Sequence, residues 1–172
     1  MSNLYNTIKE SVDSVDDIGK EIDEIVDGIV NSSCSDLDEY IDYVRSLLDD
    51  DTSPITDGEL NHIIITLPTY MYYSSSHLES LGIREDLAKI HENNAYMEAL
   101  QLVTGSVQEK QVKAKSQIQT EAITTIVYQR ANKKIKAKND TALELLQSCK
   151  KILNCRIAEL ELSKNSSNHQ TN

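Results

Sequence analysis

The side chains able to do chemistry in this 172-residue chain are few, and their spacing excludes most reactions. His62, His77, His91 and His169 never fall four apart, so no helix face offers two imidazoles to a metal. H-E-x-x-H is absent, as are the paired Glu-x-x-His motifs of a di-iron bundle (Glu59–His62 is a single instance), G-x-S-x-G, a glycine-rich phosphate loop and a D-x-D-x-D-G calcium loop. Cys34, Cys149 and Cys155 form an odd set without C-x-x-C pairing, which argues against a disulfide framework and against a zinc site. Cys149 and Cys155 lie on or near the apolar stripe of the last expected helix and read as core thiols. Asp49, Asp50 and Asp51 with Asp57 and Glu59 gather the oxygens a hard cation prefers. Consecutive carboxylates on a fraying helix end rarely converge, so a solvated acidic loop is expected there. No catalytic residue, metal or cofactor is expected, and the chain does not read as an enzyme.

Two features do point to a ligand. The first is the run RANKKIKAK at 130–138, in which Arg130, Lys133, Lys134 and Lys138 share an arc of roughly 140° on a helix. With Lys110, Lys113 and Lys115 it forms the candidate DNA-binding set, because a cationic stripe can follow a phosphate backbone without reading sequence. The second is Tyr70-Met71-Tyr72-Tyr73, where adjacent tyrosines cannot all face one side of a helix. Tyr72 and Tyr73 are the candidates for stacking on unpaired bases. The competing interpretation of both features is a solvated lysine face and ordinary tyrosine packing, since tyrosine is the chain's sole aromatic type.

The charge distribution sharpens the first feature. Net charge is −11, yet residues 1–60 hold 17 acidic and 3 basic side chains, and residues 61–172 hold 11 acidic and 14 basic. Within 106–156, eleven basic residues face four acidic ones. A sign split of this size bears on partners rather than on fold. The acidic segment is expected either to occupy the basic stripe when no polyanion is present or to dock on a basic partner.

The elements that must hold these residues read as helices. Phe and Trp are absent, and 5 Gly and 2 Pro are too few turn-makers for a sandwich or barrel. An all-α fold is expected, an elongated bundle or set of helical hairpins with coiled-coil-like long helices and no sheet. Leu4, Ile8, Val12, Val15, Ile22, Val26 and Ile29 make a narrow stripe that needs a partner helix. A polar break at Asn31–Ser33 and a cap at Ser35 predict a second helix carrying Leu37, Tyr40, Ile41, Val44, Leu47 and Leu48. Residues 1–52 thus form an acidic two-helix segment and 53–58 a linker. Beyond the linker, the pattern predicts helix over 59–81, kinked or split at Pro68 and ended by Gly82. A helix over 83–103 follows, with Leu87, Ile90, Tyr96, Met97, Leu100 and Val103 on its stripe. After a break at 104–106, a long helix over 107–138 carries Val112, Ile118, Ala122, Ile126, Ala131 and Ile135. Asn139-Asp140-Thr141 with Glu144 then reads as a capping box opening a helix to about 162. Its stripe is Ala142, Leu146, Cys149, Leu153, Ile157 and Leu160. Residues 163–172 are expected to be a disordered polar tail. No apolar run reaches membrane-spanning length, and MSNLYNTIKESVD has no basic-then-apolar signal pattern. A cytoplasmic protein with no membrane role is expected.

Four stretches stand out within residues 60–162: LPTYMYYSSSHLESL at 67–81, REDLAKIHENNAYMEAL at 84–100, TEAITTIVYQRANKKIKAK at 120–138 and ALELLQSCKKILNCRI at 142–157. In these stretches the chain resembles the phage recombination mediator proteins of the UvsY type. It implies a 59–162 mediator-like domain that forms a homo-oligomer and binds single-stranded DNA. It also implies contact with a recombinase and a single-strand binding protein, and help in loading the one onto strands coated by the other. A phage-encoded protein of this kind works in the host cytoplasm. The family's short basic DNA-contact motif falls in the helix matching 84–103, where this chain has Met97, Glu98 and Ala99. The resemblance therefore implies that contact has moved to Lys110–Lys115 or Arg130–Lys138. Two readings from other classes stand beside it. One is an acidic DNA mimic that blocks a host defence nuclease, using Asp13, Asp16, Asp17, Glu21, Asp23, Glu24 and Asp27 with residues 36–51. The other is a coiled-coil assembly scaffold. A mimic has no need of the basic C-terminal half.

Overall fold

The computed structural model describes residues 2–49 and 52–169. It is all-α, with four helices and no strand among the described residues: α1 Ser2–Leu48, α2 Asp57–Leu102, α3 Val107–Gln117 and α4 Gln119–His169. Contacts group the chain into two units, residues 1–33 with 77–135 and residues 34–76 with 136–172.

The second unit has the clearer core. Leu37, Ile41 and Val44 of α1 repeat at four and three, Leu60, Ile63 and Leu67 of α2 at three and four, and Ala142, Leu146 and Cys149 of α4 at four and three. Each set makes one helical stripe, and the three stripes meet in a single cluster. Ile55 enters the same cluster, and its carbonyl accepts a hydrogen bond from Arg156 Nη1 at 2.7 Å. The expected linker is therefore tied down, and α2 begins inside it at Asp57. A capping box starts that helix. Thr56 N donates to Glu59 Oε2 at 2.7 Å, and Glu59 N donates to Thr56 Oγ1 at 3.2 Å. These bonds hold the Glu59 carboxyl below its ordinary value.

The first unit buries smaller side chains. Ala99, Ala114 and Ile118 cluster with Ala95, Tyr96 and Leu100 around the turn between α2 and α3. Val26 and Val30 of α1 and Val127, Ala131 and Ile135 of α4 are also buried. At Gly105, φ is +136°, a conformation that side-chain-bearing residues avoid. A capping box between Ser106 and Glu109 then opens α3.

Five boundaries differ from expectation. The acidic segment holds one helix, because Ser32 and Ser33 satisfy their hydroxyls on the Ile29 carbonyl and leave the backbone ladder intact. Ser35 is mid-helix, and residues 34–48 share a core with α2 and α4 instead of standing apart. α2 runs unbroken through exposed Pro68 and through Gly82, whose cost of about 1 kcal/mol is within what packing offsets. The long helix expected over 107–138 breaks early, at Ile118, whose side chain is held in the Ala99–Ala114 cluster. The cap expected at 139–141 is helix interior: Thr141 Oγ1 donates to the Ala137 carbonyl, and Asn139 Oδ1 accepts a hydrogen bond from buried Ser74 at 2.7 Å. Finally, α4 continues to His169, so most of the expected disordered tail is helical. Asp50, Asp51 and residues 170–172 lie outside the described residues, as do the side chains of Leu4 and Ile8.

Ile63→Ala should cost about 2–5 kcal/mol in urea denaturation, since it empties the three-helix core. Ile65→Ala, at a site 74% exposed, should stay within about 0.5 kcal/mol.

Candidate nucleic-acid interface

The buried line of α4 decides where its cations point. In the first unit that line runs Val127, Ala131, Ile135. At 100° per residue Lys134 lies roughly 60° round from it and Lys133 roughly 160°. Lys134 is therefore at the rim, where α1 supplies Asp27 Oδ1 at 2.8 Å and Asp23 Oδ1 at 3.8 Å. The bond to Asp27 raises the lysine's pKa. Lys133 points outward, and Arg130 lies between the two directions. Both are exposed and make no ion pair among the described residues.

In the second unit Lys138 sits one turn before buried Ala142, and its ammonium reaches Asp38 Oδ2 of α1 at 2.6 Å. Nearby Cys34 is buried, and burial first, then the Asp38 charge, pushes its thiol up. Arg156 pairs with Asp57 Oδ1 at 2.8 Å. Of the acidic cluster expected at the loop, Asp57 thus serves an ion pair and Glu59 a helix cap.

The α3 lysines lie in the first unit with Arg130 and Lys133. Lys113 Nζ donates to the Thr104 carbonyl at 3.2 Å, and Lys110 is half-buried. Lys115 edges an open groove of about 750 Å³ whose walls include Ile18, Tyr96, Ile118 and Ile123. The tyrosine cluster divides. Tyr70 stacks on Tyr40, with ring centres 4.8 Å apart, and belongs to the core. Tyr72 and Tyr73 are 71% and 61% exposed and meet edge-on at 5.9 Å, in the second unit. Cys149 is buried in the core, whereas Cys155 is exposed.

The candidate set is therefore split by availability. Arg130, Lys133 and Lys115 are exposed and make no ion pair among the described residues, while Lys134 and Lys138 are already held by carboxylates of α1. The charge asymmetry signalled such pairing in general terms. Which lysine is held follows from the buried line of α4, which includes Val127, a residue outside the expected stripe.

Lys134→Ala, Asp27→Ala and the double variant should give a coupling energy of about 0.2–1 kcal/mol in a denaturation cycle, since both partners are largely solvated. Because the folded-state pKa of Lys134 is raised, its contribution is complete below the ordinary lysine value and is lost as pH rises through the higher folded value.

No helix among the described residues is long and apolar enough to cross a membrane. No protein-family model, curated protein or solved structure matches this chain.

Proposed function

We propose that this chain is a non-enzymatic single-stranded-DNA-binding protein of the recombination-mediator kind, helping a recombinase onto strands covered by single-strand binding protein. The observation that carries the proposal is the exposed placement of Arg130 and Lys133, which make no ion pair among the described residues, in the same unit as the α3 lysines. Such cations bind phosphates weakly and without reading bases, releasing condensed counterions as they do so. Repetition in a homo-oligomer would multiply these weak contacts along one strand. Exposed Tyr72 and Tyr73 supply faces on which bases can stack. Asp23, Asp27 and Asp38 act in this scheme as internal competitors that restrain Lys134 and Lys138 until a strand displaces them.

Fluorescence anisotropy of a labelled single strand, titrated with the full chain across a salt series, tests the assignment. Binding should weaken steeply with salt. Arg130→Glu with Lys133→Glu should lower affinity and reduce the log–log salt slope by at least about 1.4, on a contribution of about 0.7 per phosphate contact. Asp23→Asn with Asp27→Asn should act in the opposite direction, raising the slope by about 0.7 as Lys134 becomes available. Absence of binding at low salt would remove DNA as a ligand and leave the acidic-mimic and scaffold readings.

A further inference from the structure

The first-unit part of α2 is amphipathic in the unexpected sense. Its inward side carries Leu81, Glu85, Ala88, Ala95 and Ala99, all buried or half-buried. Glu85 there receives a hydrogen bond from Asn132 and an ion pair from Lys89. Tyr96, Leu100 and Val103 turn inward as well, but four large apolar residues face outward: Ile83, Leu87, Ile90 and Met97 are between 53% and 60% exposed. Their spacing is four, three and seven. With Asn94 completing the series, this is a two-heptad a/d line in which Leu87 and Asn94 hold a and Ile83, Ile90 and Met97 hold d. Leu87, Arg84 and His91 also border an open groove against Thr124 and Tyr128 of α4, so no segment covers the line on that side. A helix that already has a buried side and still presents Ile, Leu and Met to water in one line offers a surface for a second helix.

The flanking residues identify that helix. In this register Glu79 and Asp86 hold g, and Arg84 and His91 hold e, all of them exposed. In a parallel pair of identical helices each g faces the e five residues later on the partner. Glu79 then meets the partner's Arg84 and Asp86 meets the partner's His91, with no like charges opposed. Asn94 meets its own copy, so two side-chain amides can bond each other across the seam. In an antiparallel pair Asn94 would face Ile83 or Ile90 and lose that partner, at the cost of a buried unsatisfied amide. Leu at a with Ile at d would by itself favour more than two strands, and it is the single buried Asn at a that opposes this and specifies a pair. We infer that two copies of this chain associate in parallel through residues 83–101 of α2, with Ile83, Leu87, Ile90 and Met97 as the seam. The helix is already ordered by its own bundle, which removes the folding cost that usually makes two heptads insufficient.

Sedimentation equilibrium of the full chain at about 1–100 µM tests association. The wild-type chain should reach twice its 19.3 kDa mass, and Leu87→Lys with Ile90→Lys should weaken the dimer more than about 100-fold, with helix content unchanged by circular dichroism. Orientation is read separately in a chain carrying Cys155→Ser and Gln101→Cys. Gln101 holds the next a position, so mild oxidation should cross-link the parallel dimer through that residue, while Cys34 and Cys149 stay buried. A monomer throughout the range, or a dimer indifferent to the lysine substitutions, overturns the interface. A dimer sensitive to them that does not cross-link at 101 overturns the parallel arrangement. None of these readouts involves DNA, so they stand or fall independently of the nucleic-acid assignment.

Discussion

The rest of the structure depends on one line of buried side chains along α4. In the first unit it consists of Val127, Ala131 and Ile135, and in the second of Ala142, Leu146 and Cys149. A chain without Phe or Trp must assemble its core from Leu, Ile, Val, Ala, Cys and Tyr, which contribute only when helices lie close and in register. Once those positions face inward, the remaining positions of α4 have no freedom. Lys133 must face water, and Lys134 and Lys138 must lie along the edge where α1 passes with its carboxylates. The division between available and restrained cations is a by-product of core packing.

Packing also explains the contrast between the units. Where three stripes of Leu and Ile meet, around Leu37, Leu60 and Leu146, the core is closed and includes the connecting residue Ile55. Around Ala99 and Ala114 the helices are spaced by small residues, and much larger apolar groups remain outside, among them Val12, Val15 and Ile18 of α1. The α2 part of that exposed apolar surface is where the inferred pairing of two copies would be made.

The helical class was legible in the composition, and the stripes at Leu37–Val44 and Ala142–Cys149 were legible in the spacing, because there the residues recurring at three and four do point to the core. The same rule held only in part for 83–103, where Tyr96, Leu100 and Val103 of the expected stripe turn inward and Leu87, Ile90 and Met97 do not. Leu87, Ile90 and Met97 stay exposed, while the chain buries Ala99 and half-buries Ala95 against Ala114 and Ile118. Boundaries misled for a related reason. Serines, a glycine and a proline read as punctuation, but a helix packed along its length continues through all of them, forgoing at Pro68 the one bond that proline cannot donate. The true break at Ile118 carries no turn-forming residue and is imposed by tertiary contact. The cap at Ser106–Glu109 was available in the text as S-x-x-E, whereas the similar T-x-x-E at Thr141 lies mid-helix. For the candidate site, the cationic residue types were visible in advance. Their availability was not, because it depends on which rim of α4 faces α1.

The carboxylates at Lys134 amount to a tethered counterion. A phosphate arriving at Lys133 displaces mobile ions, which gain entropy as they disperse, and that gain shrinks as salt is added. At Lys134 the displaced group is Asp27, which remains attached a few ångströms away and gains nothing by dilution. Two neighbouring lysines on one helix would then answer ionic strength differently, one as a simple ion exchanger and the other buffered against the medium by its own protein.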